Sequence, residues 1–246
     1  MSIKSYIKRI LPSCILTGSI PVLFLSGCGR NAVSYERPSV TETVISQETV
    51  SSPEPLVSVV TGEDKDIIYR VPRIINQRVT PFGDNGCGGA AGLMALQAAG
   101  YMTDLDTDEE YSRFWAGVPK DKDPAKGWNG NGIWNPAYAD WLSSFAEAKR
   151  IQDFGADDIK DHIAGGNVLV VLVSLGDTGD VTHWVAVTGF KTVDGLLLYE
   201  VADPWSGVVH EFTPSRLDKR MQEGSKRKGD QGAGYGTDGV LIKCKE

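Results

Sequence analysis

Apolar residues follow three regimes along the chain. Residues 10–25 are mostly apolar, with Pro12 and Pro21 interrupting the run. From 29 to 66, Val and Ile are scattered among Ser, Thr, Glu and Pro without a sustained period of 2 or 3.6. From about Asp66 the pattern becomes that of a globular domain. The stretch 86–99, GCGGAAGLMALQAA, is rich in Ala, Leu and Met and stops at Gly100, which predicts a helix. A second helix is predicted over 107–116, with Asp108, Glu109 and Glu110 in its first turn, where the helix dipole favours acids. Asn135-Pro136 is a cap followed by a proline start for a third, 136–147. A short fourth, 157–164, ends at Gly165-Gly166. Beyond it the pattern turns β-branched. The stretches 167–175, 183–190, 196–202, 208–212 and 239–243 are short strand candidates between Gly and Asp turns. Helices first and strands afterwards predict an α+β domain with a mainly antiparallel sheet.

Composition adds limits to that picture. The chain has 246 residues, 25 Lys and Arg, 32 Asp and Glu, three His and four Cys. The acidic balance argues against a nucleic-acid partner, which needs a basic surface. Four Cys are too few for a disulfide scaffold of this size, and three His argue against a His-rich metal site. No metal or other cofactor is expected. No apolar run reaches the roughly 18–20 residues of a spanning helix.

The first 28 residues have the pattern of an export signal. Lys4, Lys8 and Arg9 form a positive head, the apolar run follows, and Leu25-Ser26-Gly27 leads into Cys28. The segment resembles a bacterial lipoprotein signal, which implies cleavage before Cys28 and lipidation of that residue. An ordinary signal peptide that happens to carry a Cys is the alternative. Three regions are expected: a signal over 1–27, a lipidated Cys28 and flexible tether over 28–66, and a domain over 67–246. About 38 residues of tether give a reach of roughly 30–35 Å, and part of it, such as 56–60, could add an edge strand. Loss of residues 1–27 removes three cations and no acid, so the formal charge moves from −7 to −10. The expected location is the extracytoplasmic side of the cell envelope, with the bilayer as a partner through the anchor.

Within the domain, Cys87 stands between Gly86 and Gly88-Gly89 at the start of a predicted helix. A helix N-terminus stabilises a thiolate, and the flanking glycines Gly86 and Gly88 allow a substrate backbone to approach closely. A buried structural Cys on an Ala-rich helix is the competing reading. His183 opens a strand after the loop 176–181, where it could serve as general base and acid for a helix-borne Cys. Taken alone it is also an ordinary half-buried His; His162 and His210 have no comparable setting. Asp203 ends the following strand, where it could orient an imidazole, although Asp203-Pro204 also reads as a plain turn. Glu200 is its nearest rival. Gln77 lies in a loop ten residues before Cys87, and its amide could help bind an oxyanion.

Together these residues resemble the papain-like cysteine peptidases, in particular the bacteriocin-leader (double-glycine) processing peptidases and their exported relatives. The resemblance is carried by Val71-Pro72-Arg73-Ile74-Ile75-Asn76-Gln77, by the stretch from Asn85 through Cys87 to Gly100-Tyr101, by His183-Trp184-Val185-Ala186-Val187-Thr188-Gly189-Phe190, and by Val201-Ala202-Asp203-Pro204. It implies a papain-like fold, with a helical N-terminal half that starts its nucleophile helix at Cys87 and a β-sheet C-terminal half. It implies Gln77, Cys87, His183 and Asp203 as catalytic residues, and amide hydrolysis of a peptide or protein through a thioester. The Gln-to-Cys loop is longer than in transporter-fused members, and Gly88-Gly89 stands where Gly-Pro is common. No transporter domain is attached, so a leader-peptide substrate does not follow.

Other readings remain open at this level: a silent peptidase-like binding module, or a cell-wall peptide amidase or acyltransferase with the same triad. Transglutaminases share the Cys, His, Asp order but fit the Gln and Cys contexts less well. A monomer is expected. Trp184 and Trp205 are placed near the triad, and Trp128, Trp134 and Trp141 in the core or cleft wall. Asp104, Asp106 and Asp108 imitate a calcium loop, but Glu109 and Trp115 stand where Gly and Glu are needed. Cys244 is a lone thiol. Lys226-Arg227-Lys228 and the Gly-rich stretch 224–239 read as a solvated mobile loop.

Overall fold

A computed structural model describes residues 66–69, 73–80, 83–105, 107–176, 181–230 and 237–246. The signal, Cys28, the tether with its optional strand at 56–60, and Asp106 lie outside the described residues. Among those described, no helix is long and apolar enough to cross a membrane.

The elements run β1 (Ile67–Ile68), α1 (Cys87–Ala98), α2 (Asp108–Ala116), α3 (Ala137–Leu142), β2 (Ala148–Gln152), α4 (Ala156–Ala164), β3 (Asn167–Ser174), β4 (Thr182–Val193), β5 (Leu196–Asp203), β6 (Val208–Phe212), α5 (Pro214–Asp230) and β7 (Asp238–Lys243). Six strands form one antiparallel sheet in the order β2-β7-β3-β4-β5-β6. β1 pairs with β4 at Gly189 and Phe190, beyond the stretch that β3 occupies.

β3 is buried on both faces, which is why it reads as an unbroken apolar run. Val168, Val170 and Leu172 face a core shared with α1, α2 and α3. Leu169, Val171 and Val173 face a second core with Ile159 and Ile163 of α4 and Leu217 and Met221 of α5. Helices therefore cover both faces of the sheet, and the N-terminal ones cover the face that meets Cys87.

α1 is buried almost all round, so its small residues are a packing requirement. A Cβ at Gly89 would lie 2.6–2.8 Å from the Trp115 indole, and one at Gly92 would lie 2.9 Å from the Tyr138 hydroxyl. That explains Gly-Gly after Cys87: the helix has to approach α2 closely. α2 begins as predicted. Thr107 Oγ1 accepts from the Glu110 N–H, and the Thr107 N–H donates to Glu110 Oε2, which is the reciprocal capping box.

Three predictions need correction. α3 ends at Leu142, five residues short of the expected 147, and Ala148–Gln152 leave as β2 to pair with β7. The N-cap position of α3 is Pro136 rather than Asn135, although Asn135 Oδ1, one residue earlier, accepts from the Ala139 N–H. Asn135 Nδ2 donates to Asp238 Oδ1 and to the Gly239 carbonyl, which ties the helix to β7. The expected loop from 224 onward is, up to Asp230, the end of α5. That helix forms because Leu217, Met221 and Gly224 recur at i, i+4 and i+7 and seat one stripe on β3. Gly224 comes so close that a Cβ there would meet the Val173 backbone at 2.6 Å. Residues 231–236 lie outside the described residues.

Candidate active site

Cys87 is the first residue of α1. Its N–H is therefore one of those an α-helix leaves without an internal acceptor. Two tyrosines hold the turn around it. Tyr111, from α2, donates its hydroxyl to the Gly86 carbonyl at 2.9 Å. Tyr138, from α3, donates to the Gly88 carbonyl at 2.5 Å. The sulfur thus sits between two backbone positions anchored from separate helices.

Strand register supplies the other two groups. β4 and β5 pair Ala186 with Ala202, so Asp203 stands beside Val185. His183, two residues earlier on the same face of β4, is then the diagonal neighbour of Asp203, within reach of long side chains. The result is a buried contact of 2.7 Å between His183 Nε2 and Asp203 Oδ1. The other imidazole nitrogen, Nδ1, is left for the Cys87 thiol, which interacts electrostatically with this ring.

The electrostatics of the three groups agree. Burial pushes the Cys87 thiol up, but the hydrogen bond and charge of His183, with the backbone N–H groups of Trp184 and Gly88, bring it net below its ordinary value. Burial pushes His183 down, yet its hydrogen bonds to Asp203 and Cys87 raise it to about 9. Burial would raise Asp203, but His183, the Trp205 N–H and His210 hold its carboxyl below the usual range. The Trp205 N–H donates to Asp203 Oδ1 at 2.8 Å. All three shifts favour the charged form of the group concerned.

The remaining candidates lie around this centre. Gln77 is fully buried next to Gly86. Its Nε2 donates to the carbonyls of Gly83 and Asp84, the turn that leads into Cys87. Among the described residues its Oε1 has no hydrogen-bond partner. In this arrangement Gln77 braces the nucleophile loop. The Gln77 N–H also donates to the Pro204 carbonyl at 2.8 Å, which joins that loop to the Asp203 turn. Trp184 is buried and its Nε1 donates to the Ile133 carbonyl, so the long 117–134 loop is pinned beside the site. Trp205 is partly exposed, with the Arg78 guanidinium 5.3 Å from its ring centroid. Gly86 and Gly88 are buried. Cys244 is a free, half-buried thiol near Tyr69; Cys87 is free as well.

One neighbour has no distinctive setting in the sequence. His210 lies 3.6 Å from Asp203 Oδ2, whereas His162 sits in the last turn of α4. The available signal was the turn Asp203-Pro204-Trp205-Ser206-Gly207. Read as a hairpin, it returns the next strand alongside Asp203 and puts His210 on the same face.

A sheet flanked by helices, with a thiol at a helix start beside a strand-borne imidazole and carboxylate, defines a papain-like cysteine peptidase fold. The chain belongs to the Peptidase_C39 like family, whose sequence model matches residues 70–224. Among solved structures it is similar to one described as a C39-like peptidase from Bacillus anthracis. The identity is 15%, with 74% of this chain and 100% of that chain covered and a TM-score of 0.53, so the likeness is one of fold. A second similar chain comes from work on the mite allergens Blo t 1 and Der p 1 (13% identity, 78% of this chain and 75% of that chain, TM-score 0.41); at that score it adds nothing further. No curated protein matches the chain. Family and fold make this chain a cysteine peptidase.

Proposed function

We propose that the chain is a membrane-tethered, extracytoplasmic peptidase that hydrolyses peptide or protein amides with Cys87, His183 and Asp203. The observation that carries the reading is the buried 2.7 Å contact of the His183 imidazole with the Asp203 carboxylate, on the ring to which the Cys87 thiol at the start of α1 is electrostatically coupled. Cys87, as thiolate, attacks the amide carbon, and the carbonyl oxygen becomes an oxyanion facing the Cys87 backbone N–H. His183 Nδ1–H protonates the leaving amine, which departs and leaves a thioester. The same nitrogen then takes a proton from water, whose oxygen displaces the sulfur and releases the acid. Asp203 holds the ring so that Nδ1 faces the sulfur throughout. Gln77 steadies the loop before the nucleophile; to donate to the oxyanion its amide has to release Gly83 or Asp84. The buried His183–Asp203 pair and the lowered Cys87 thiol weigh against a silent binding module.

Iodoacetamide tests the reading. The thiolate is the reacting form, and Cys87 is held below the ordinary thiol range while Cys244 is raised above it by burial. Labelling followed on separate peptides by mass spectrometry should therefore show Cys87 alkylated at pH 5–6 while Cys244 stays unmodified. Alkylation of Cys87 should fall only as pH drops through its lowered value. Peptide hydrolysis needs the imidazolium too, so it should also decline as pH rises through about 9. Equal, slow labelling of both thiols at pH 6 would favour the silent module.

The tether reading rests on the Leu25-Ser26-Gly27-Cys28 sequence after an apolar run. Cys28→Ser should shift the protein from the membrane fraction to the soluble fraction with its peptidase activity unchanged. Retention of the variant on membranes to the wild-type extent would exclude lipidation of Cys28 as the anchor.

A further inference from the structure

Two histidines converge on one carboxylate. β5 and β6 pair Asp203 with Val208 and Val201 with His210. His210 is therefore the diagonal neighbour of Asp203 on one side, as His183 is on the other. His210 Nε2 lies 2.9 Å from Ser206 Oγ and 3.6 Å from Asp203 Oδ2. Ser206 directs its own hydroxyl at the Asp203 backbone carbonyl, 3.4 Å away. Both groups that His210 Nε2 faces can thus accept, and the tautomer with the hydrogen on Nε2 satisfies them. Phe212, on the same strand, stacks on the His210 ring at 5.7 Å and 20°. From α5, Arg216 and Arg220 place their guanidiniums 4.5 and 5.1 Å from the Phe212 ring centroid. Asp203 is the acid that faces the imidazole from β5, and the two arginines face the Phe212 ring from α5.

The two carboxylate oxygens are thereby divided. Oδ1 receives His183 Nε2–H and the Trp205 N–H, while Oδ2 meets His210. A carboxylate held at one oxygen alone can swing about its Cβ–Cγ bond, and the turn that bears it is held to β6 by the Ser206–His210 contact.

We propose that His210 is a positioning residue for the peptidase, holding the Asp203 turn through Ser206 and the Asp203 carboxylate plane through Oδ2. This rests on the Cys87–His183–Asp203 reading above. His210 touches no reacting atom; it acts on His183 through Asp203, and on the thiolate through His183. A side chain there that donates no hydrogen lets Asp203 turn away, the imidazolium loses support, and the thiolate is less well stabilised.

The test uses the full chain and the pH dependence of Cys87 alkylation by iodoacetamide, read on the Cys87 peptide, alongside thermal unfolding. In His210→Leu the acid limb should move up by about one pH unit, so that labelling at a pH below the limb slows about tenfold. In His210→Gln, whose amide N–H can reach the same acceptors, labelling should stay within about threefold of wild type, a fraction of one pH unit. Ser206→Ala should move the limb in the same direction as His210→Leu but less, and it serves as the second variant if His210→Leu fails to fold. An unmoved limb in both His210→Leu and Ser206→Ala overturns the proposal. So does an equal displacement in His210→Leu and His210→Gln, which marks a merely structural role. A limb that moves down overturns it as well, because His210 would then be competing with His183 for the carboxylate. If wild-type Cys87 labels no faster than Cys244 at pH 6, the peptidase reading itself fails and this proposal falls with it.

Discussion

Cys87→Ala is expected to abolish amide hydrolysis, with a fall in kcat of about 10⁶-fold, and to leave the fold in place. The loss follows from chemistry: without sulfur no thioester forms, and neither Ala nor a neighbouring hydroxyl supplies a nucleophile at that spot. Survival of the fold follows from position. Cys87 starts a helix already rich in Ala, Ala has the strongest helix propensity, and Cys87 is a small, half-buried residue whose truncation removes one atom. Tyr111 and Tyr138 hold Gly86 and Gly88 through backbone carbonyls that the substitution does not touch. The electrostatics should change in a defined way. Part of the rise of His183 to about 9 comes from the Cys87 hydrogen bond and charge. The imidazole should therefore titrate lower in the variant while keeping the contribution of Asp203. A peptide library incubated with wild type and variant and read by mass spectrometry checks the activity; a thermal unfolding midpoint checks the fold. Cleavage by the variant at the wild-type rate would remove Cys87 from the mechanism.

The parts of this site that the sequence reveals are those that local forces specify. Cys87 before a small-residue helix can be read in sequence, because capping, propensity and the absence of bulk all act within a few residues. α2 announces itself through Thr107 and Glu110. β3 is an apolar run that only a strand buried on both faces needs. Other features depend on pairing between distant segments. β2 has the sequence Ala-Lys-Arg-Ile-Gln, which carries no alternation, and it is a strand because β7 arrives beside it. β7 comes last in the chain yet lies inside the sheet between β2 and β3. α5 shows little beyond Leu217 and Met221 in a polar, Gly-containing stretch, and its helical state comes from seating on β3. The site divides in the same way. His183 and Asp203 are plausible separately, but the register of Ala186 against Ala202 makes them partners. His210 has no comparable setting in the sequence because its place depends on the β5–β6 register. The Gln77 amide looked free to bind an oxyanion because no local rule directs it to the Gly83 and Asp84 carbonyls.

Asp203→Asn should lower kcat by about 10³–10⁴-fold with little change in KM. The amide is nearly isosteric, and its oxygen can still accept from His183 Nε2–H and the Trp205 N–H, so the geometry is largely kept. What it removes is the negative charge behind the imidazolium. His183 is buried and burial favours its neutral form; hydrogen bonding to Asp203 is the largest of the effects that offset this and bring it to about 9. With a neutral partner the imidazolium is given up at lower pH, so the alkaline limb of hydrolysis should move down. The thiolate, held low by that same imidazolium, should then be protonated at higher pH, so the acid limb should move up. The active range narrows from both sides, an outcome that separates electrostatic support from a role in folding, which scales the profile without moving its limbs. KM should hold because Asp203 lies behind His183, away from the sulfur. The pH dependence of kcat and kcat/KM measures both limbs. An alkaline limb that stays near 9 in the Asn variant would show that some other group sustains the imidazolium.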